Sequence, residues 1–420
     1  MTYPTTIIMS GAYCSADLSA EYGAIPHAFL PIGMKAVYQY QIEKYIPISK
    51  RYILSLPKNF KMRNHDQKNF DENSVEIIYV DPTASIPRSL SHILEHAQVW
   101  GPIRLIFGDT FIADPCDDTD TVLIGESFDC YDWSGTEFDS AGRMTFKKEI
   151  GNQKILKSVI VGQFLFSNND KLRLAAKGSE SITELLNFYN KEATLKSAKT
   201  FNWYDVGHYA RLTKGRKDFL ASRSFNSIVI DHNVLTKKSN DRFKLAAELE
   251  WYKAQPRSLR PFAPQIISEN VDDSADKSYP YSYSIEYLHL PTLAELAVFG
   301  QLPNYRWQHL LNKCIEYILR LKSEYQNINV DFFPKPSTKA IFDGLVKEKT
   351  KYRIKQFNQQ TGHKPDSCFS LDGVKAPPLN EISDYFIDRI SPTKDEHLSI
   401  MHGDFFFSNI LYDSRSDSIK

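Results

Sequence analysis

The sequence predicts an α/β chain in two parts, and three observations predict it. From Thr5 to Asp109 short apolar runs alternate with stretches of helical spacing, the pattern of a mostly parallel sheet covered on both faces. Near residue 222 the texture changes to paired strands followed by long helical stretches, an α+β order with a small strand-rich lobe ahead of a helical one. The 420 residues are also more than one core ordinarily holds, so several domains are expected.

The elements follow in order. Thr5 to Ser10 is a short apolar run ending at Gly11, a strand and then a turn. Val37 to Tyr45 has helical spacing, Arg51 to Leu56 and Val75 to Val80 are strand-like, and Ser89 to Val99 reads as a helix. Ile103 to Phe107 is another apolar strand and delivers Gly108-Asp109 at its end. In parallel sheets ligands bind past the carboxyl ends of strands. Arg223 to Ile230 and Val234 to Lys238 read as two antiparallel strands joined at Asp231-His232-Asn233. A helix is expected from Asp241 to Ala254, a strand from Tyr281 to Tyr287, and helices starting at Pro291, from Trp307 to Tyr325 and from Ser337 to Thr361. Glu269 to Lys277 is polar and reads as a loop.

Composition narrows the function. Hydrophobic content of 42% and charged content of 24% are those of ordinary globular material. A formal net charge of zero argues against a basic nucleic-acid face or a polybasic membrane patch, so an anionic ligand must be met by a local site. The 23 Tyr and 26 Phe are expected to pack the α/β layers. Cys14, Cys116, Cys130, Cys314 and Cys368 are scattered, without C-x-x-C spacing, and read as reduced thiols. The first residues carry no basic targeting region and no stretch reaches the apolar length of a membrane span, so a cytoplasmic protein is expected. Oligomeric state is not legible here.

In the first part, Ile7-Ile8-Met9-Ser10-Gly11, Ile25-Pro26-His27 through Lys35, Leu105 to Asp109, Val161 to Phe166, Ser181 to Leu186 and Trp203-Tyr204-Asp205-Val206-Gly207 occur in a telling order. Together they resemble the sugar nucleotidyltransferase family, which joins a sugar phosphate to a nucleoside triphosphate and releases pyrophosphate. The resemblance implies a Rossmann-like nucleotidyltransferase domain over residues 1–221. It implies Asp109 and Asp205 as Mg²⁺ ligands, Gly11 and Lys35 at a nucleoside triphosphate of unknown base, and a sugar or small-alcohol phosphate as acceptor. In-line displacement at the α-phosphorus builds charge on phosphate oxygens, and Mg²⁺ held by carboxylates neutralises it. The loop Ser10 to Asp17 departs from the family pattern: the second Gly and the following Arg are missing, and His27 stands where a Lys is usual. A β-carbon at such turns hinders the approach of backbone to phosphate.

In the second part the decisive piece is His402-Gly403-Asp404-Phe-Phe-Phe-Ser-Asn409-Ile-Leu. It resembles the catalytic loop of the aminoglycoside phosphotransferase and choline kinase family, which uses a two-lobed protein-kinase-like fold on small molecules. The resemblance implies a small lobe over residues 222–290 and a large lobe over 291–420. It implies Asp404 as general base, Asn409 as Mg²⁺ ligand, Lys237 and Glu248 as the ion pair that holds the ATP phosphates, Ser224 and Asn226 as phosphate contacts, and Glu286 in the hinge that meets adenine. His402 reads as a structural group. The family's second metal-binding Asp falls on the next strand, past Lys420, so the chain reads as a kinase cut before that ligand.

The combined expectation is a bifunctional enzyme of surface polysaccharide precursor synthesis (capsule or lipopolysaccharide), using ATP, a second nucleoside triphosphate and Mg²⁺. Two other readings stay open: a non-catalytic ligand-binding scaffold built from degenerate versions of both folds, and a protein in which only the kinase of a longer chain works.

Overall fold

The structure is a computed structural model that describes residues 3–127, 133–140, 143–148, 156–218, 227–239, 241–270, 281–326, 337–362, 364, 366–371, 373–390 and 398–420. Ser224, Asn226, Cys130 and residues 271–277 of the polar stretch lie outside them. The chain divides into two compact units. The larger comprises Met1–Lys253, Pro264–Trp307 and Phe406–Lys420, and the smaller Ala254–Ala263 and Gln308–Phe405.

The larger unit is mixed α/β and is built on a nine-stranded sheet. Strands β1 (Thr5–Met9), β2 (Arg51–Pro57), β3 (Glu76–Val80) and β4 (Ile103–Phe107) run parallel in the order β3-β2-β1-β4. Their β-branched, apolar residues suit burial on both faces, and Ile7, Ile53 and Leu105 stand in register across the centre with no exposure. Beyond β4 the sheet continues antiparallel through the long strand Leu156–Phe166, to which Thr121–Ser127 and Ser134–Phe138 also pair. This half was not visible in the strand–helix alternation, because its strands follow one another without intervening helices.

One face is covered by helices Ile86–His96, Asn169–Lys177 and Ile182–Glu192, whose Leu90, Ile93, Leu94, Leu172, Leu185 and Leu186 join Phe164 and Phe166 in the main core. The first of these starts earlier than its apolar residues suggest. Ser85 caps it by accepting from the Arg88 amide, and Pro87 sits in its first turn, where a missing N–H costs nothing. Helix Val37–Tyr45 carries Val37, Tyr38, Gln41, Ile42 and Tyr45 inward, matching its expected bounds.

Within the same unit a four-stranded antiparallel sheet pairs Ser227–Asp231, Val234–Ser239, Tyr281–Glu286 and Ile266–Asn270 in that order. Helix Arg242–Lys253 packs Leu245 and Leu249 against Tyr283 and Ile285. His232 takes a positive φ of 50° at the tight turn between the first two strands. Glu269 and Asn270 are not loop but the end of a strand: Glu269 lies opposite Tyr283, and this cross-strand pairing outweighs local polarity.

The smaller unit is mainly helical. It contains most of the helix Asn304–Gln326, with Leu310, Cys314, Tyr317 and Leu321 buried along one stripe, and the helices Lys349–Thr361 and Leu379–Arg389. No helix among the described residues is long and apolar enough to cross a membrane.

Candidate active site

The exit of β1 is tightly built. Ser10 donates its amide to Ser55 Oγ at 3.0 Å, and its own hydroxyl oxygen accepts the Ala28 amide at 3.0 Å. Gly11 follows where no side chain fits: a β-carbon there would stand 2.2 Å from Val80 Cγ2. The Cys14 amide donates to the Ile25 carbonyl at 3.0 Å. Gly11 therefore serves the packing of the β1 exit against the end of β3, two strands away in the sheet.

The end of β4 presents Asp109. The Gly108 amide donates to the Met9 carbonyl at 2.9 Å, and Gln41 Nε2 donates to the carbonyls of Phe107 at 2.9 Å and Thr110 at 2.7 Å. Gln41 is fully buried, so this clamp fixes the turn from inside. Thr110–Ile112 then pairs antiparallel with Trp203–Asp205, setting Thr110 opposite Asp205. The Val206 amide donates to the Asp109 carbonyl at 2.8 Å. Asp205 turns its Oδ1 onto the Gly207 amide at 2.7 Å.

This ribbon brings Asp109 and Asp205 together. A β-carbon on Gly207 would lie 2.4 Å from Asp109 Oδ2 and 3.3 Å from Asp205 Oδ1, so both carboxylates face one small region that only glycine leaves open. Both line a cavity of about 180 Å³ with Phe107, Thr110, Trp133, Val161 and His208. Gly162, at φ +92°, lets Phe107 lie flat against the long strand, since a β-carbon there would meet Phe107 Cδ2 at 2.7 Å. Burial, and then the neighbouring Asp109 charge, push the Cys14 thiol far above its ordinary value, so this cysteine stays protonated beside the site.

Behind the cavity, Trp133 meets Trp203 edge-on at 5.5 Å, and the Arg211 guanidinium lies 4.3 Å and 4.9 Å from their ring centres. Arg211 Nη2 also donates to Ser127 Oγ at 2.9 Å, fixing the wall. His208, Trp133 and Thr110 were missed in the sequence. Thr110 and His208 each lie within three residues of a proposed ligand, a proximity that was available; Trp133 carried no signal.

The donor set suits Mg²⁺. Two carboxylates supply hard oxygen ligands, and Mg²⁺ commonly takes one or two carboxylates and completes its shell with water and substrate phosphate. No cluster of three or more His, Cys, Asp and Glu suited to a metal occurs among the described residues. Lys35 Nζ instead pairs with Glu43 Oε1 at 2.6 Å, both side chains well exposed.

On the antiparallel sheet, Lys237 Nζ donates to both oxygens of Glu248, at 2.6 Å and 2.5 Å. Glu286 ends the central strand opposite Val234, and its amide donates to the Gln265 carbonyl at 2.9 Å. Asn409 lies in the short turn Phe407–Asn409 of the larger unit, half-buried. Asp404 belongs to the smaller unit and is exposed. There His402 meets Phe405 edge-on at 5.6 Å, and burial lowers its pKa against the opposing pull of Asp404.

No family model matches the chain, and the comparison with curated proteins gives no significant match. Solved structures are similar over about half of it. HddC from Yersinia pseudotuberculosis is 17% identical, with 52% of this chain and 100% of that chain covered at a TM-score of 0.39. A putative glucose-1-phosphate thymidylyltransferase from Bacillus anthracis is 16% identical, with 51% and 94% covered at 0.40. The CTP:phosphocholine cytidylyltransferase LicC from Streptococcus pneumoniae is 12% identical, with 52% and 99% covered at 0.40.

Proposed function

We propose that the first part of this chain is a Mg²⁺-dependent nucleotidyltransferase acting on a sugar or small-alcohol phosphate. The observation that carries the reading is the meeting of Asp109 and Asp205, distant in sequence, against Gly207 and in the lining of one cavity. Bound there, Mg²⁺ would neutralise charge on the phosphate oxygens during displacement at the α-phosphorus. The protein's own part is placement. The Gln41 clamp and the Val206–Asp109 backbone bond hold the two carboxylates without reorganisation. Phe107, Trp133 and Val161 give the cavity an apolar wall that orients the organic part of the acceptor and excludes water. Because Gly11 is committed to Val80 and the loop lacks a second glycine and an Arg, triphosphate binding rests mainly on the carboxylate-held metal.

A second reading is favoured by the Lys237–Glu248 ion pair on a small antiparallel sheet: the remainder of the chain is an ATP-dependent small-molecule kinase, with Lys237 at its phosphates and Asn409 at its metal. A kinase that makes an alcohol or sugar phosphate, joined to an enzyme that activates it, fits precursor synthesis for a surface polysaccharide.

The test is pyrophosphate release from a panel of nucleoside triphosphates with sugar and alcohol phosphates. Asp109→Asn and Asp205→Asn are each expected to abolish release and its Mg²⁺ dependence. Wild-type chain that binds nucleotide without turnover, across the panel, would instead make this a binding scaffold.

A further inference from the structure

A second metal-ligating pair lies away from the carboxylates. On helix Ile86–His96 the buried side holds Leu90, Ile93 and Leu94, while His92 and His96 stand one turn apart toward solvent. Their ring centres are 3.8 Å apart with an interplanar angle of 32°. His96 Nδ1 is 2.9 Å from the His92 carbonyl oxygen. A carbonyl can only accept, so Nδ1 carries the hydrogen and Nε2 keeps its lone pair. The His96 imidazole is thus anchored to backbone through Nδ1 and has Nε2 to offer, with the His92 ring beside it.

We propose that His92 and His96 form a two-histidine site for a late first-row divalent ion of the Ni²⁺, Cu²⁺ and Zn²⁺ class, separate from the oxygen-donor site of Asp109 and Asp205. Histidines four apart on one helical face are spaced to ligate a single ion. Imidazole nitrogen favours these ions over Mg²⁺, which fits the carboxylate pair instead. The backbone bond on His96 Nδ1 is the support that ligating histidines ordinarily have, because it fixes tautomer and ring angle. Exposure of His96 leaves room for water to complete the coordination shell. Glu95, next to His96 in the chain, is already held by Lys177 at 2.9 Å. With only two protein ligands the site binds more weakly than a four-ligand structural site.

The test is calorimetric titration of the untagged full chain with NiCl₂, without nucleotide, together with electron paramagnetic resonance of the Cu²⁺-loaded protein. One equivalent is expected in the Asp109→Asn, Asp205→Asn background. His92→Gln and His96→Gln should each weaken binding by about tenfold or more, and each should reduce two equatorial nitrogens in the Cu²⁺ spectrum to one. Asp109→Asn with Asp205→Asn should leave this binding unchanged. No binding at millimolar metal, or binding that survives either histidine substitution in the Asp109→Asn, Asp205→Asn background, overturns the proposal.

Discussion

Gly207→Ala isolates the carboxylate pair from the rest of the fold. The new β-carbon would stand 2.4 Å from Asp109 Oδ2, whereas ordinary contact starts near 3.4 Å, so that oxygen must retreat by about 1 Å. It would also stand 3.3 Å from Asp205 Oδ1, which can yield only by loosening its 2.7 Å bond from the Gly207 amide. A 1 Å misplacement of a catalytic group costs about a hundredfold in rate, or about 2.7 kcal/mol of barrier. The cost to folding is smaller. The displaced atom is the end of a side chain, and an off-rotamer carboxylate costs on the order of 1 kcal/mol. Pyrophosphate release across a Mg²⁺ titration, run beside thermal unfolding, separates the two effects. A folded variant with the wild-type rate and wild-type Mg²⁺ dependence would refute the shared site. Gly11→Ala is the contrasting case. Its β-carbon meets Val80, a core residue 1% exposed, so overpacking should lower stability by about 1–3 kcal/mol.

Three further outcomes are expected. On the kinase reading ATP is expected to raise the thermal midpoint and Lys237→Met to remove that rise, at a cost of at most about 1 kcal/mol of stability, since Glu248 keeps a third of its side chain in solvent; no rise with ATP, or an unchanged rise in the variant, would take Lys237 out of phosphate binding. Glu21 is buried between Arg216 at 3.6 Å and the Glu295, Tyr22 and Arg415 groups, and burial, opposed by Arg216, pushes its carboxyl from 4.5 up to about 7. The folded chain thus holds this proton more tightly than the unfolded one, and the stability it confers, complete below pH 4.5, falls as pH rises through about 7. Glu21→Gln should therefore gain up to about 3 kcal/mol relative to wild type between pH 4 and pH 8, and parallel unfolding curves at the two pH values would contradict it. Iodoacetamide at pH 8 should label exposed Cys368 and spare buried Cys14, whose labelling in the native state would show that the loop beside Asp109 opens.

What was legible in the sequence follows from which forces act locally. Ile103–Phe107 and Val37–Tyr45 appear with their expected bounds because burial on both faces, or on one helical stripe, writes its period directly into the residues. Ile266–Asn270 was invisible because its strand character comes from pairing with Tyr281–Glu286, not from its own Ser, Glu and Asn. The site divides in the same way. Asp109 and Asp205 were named as a pair through the order of motifs that resembles the nucleotidyltransferase family, and residue type alone did not single them out. What the sequence did not show is how they meet: through the short ribbon Thr110–Ile112 with Trp203–Asp205, buried Gln41 beneath the turn, and the missing side chain at Gly207. Gly11 makes the converse point. Glycine after a first strand suggests a phosphate loop, yet here the space its side chain would need is filled by Val80, so the residue type is explained by packing before any ligand is invoked. A glycine bears on a ligand through what it packs against, and of these two positions Gly207 lies against the carboxylates of Asp109 and Asp205, which line a cavity, whereas Gly11 lies against Val80.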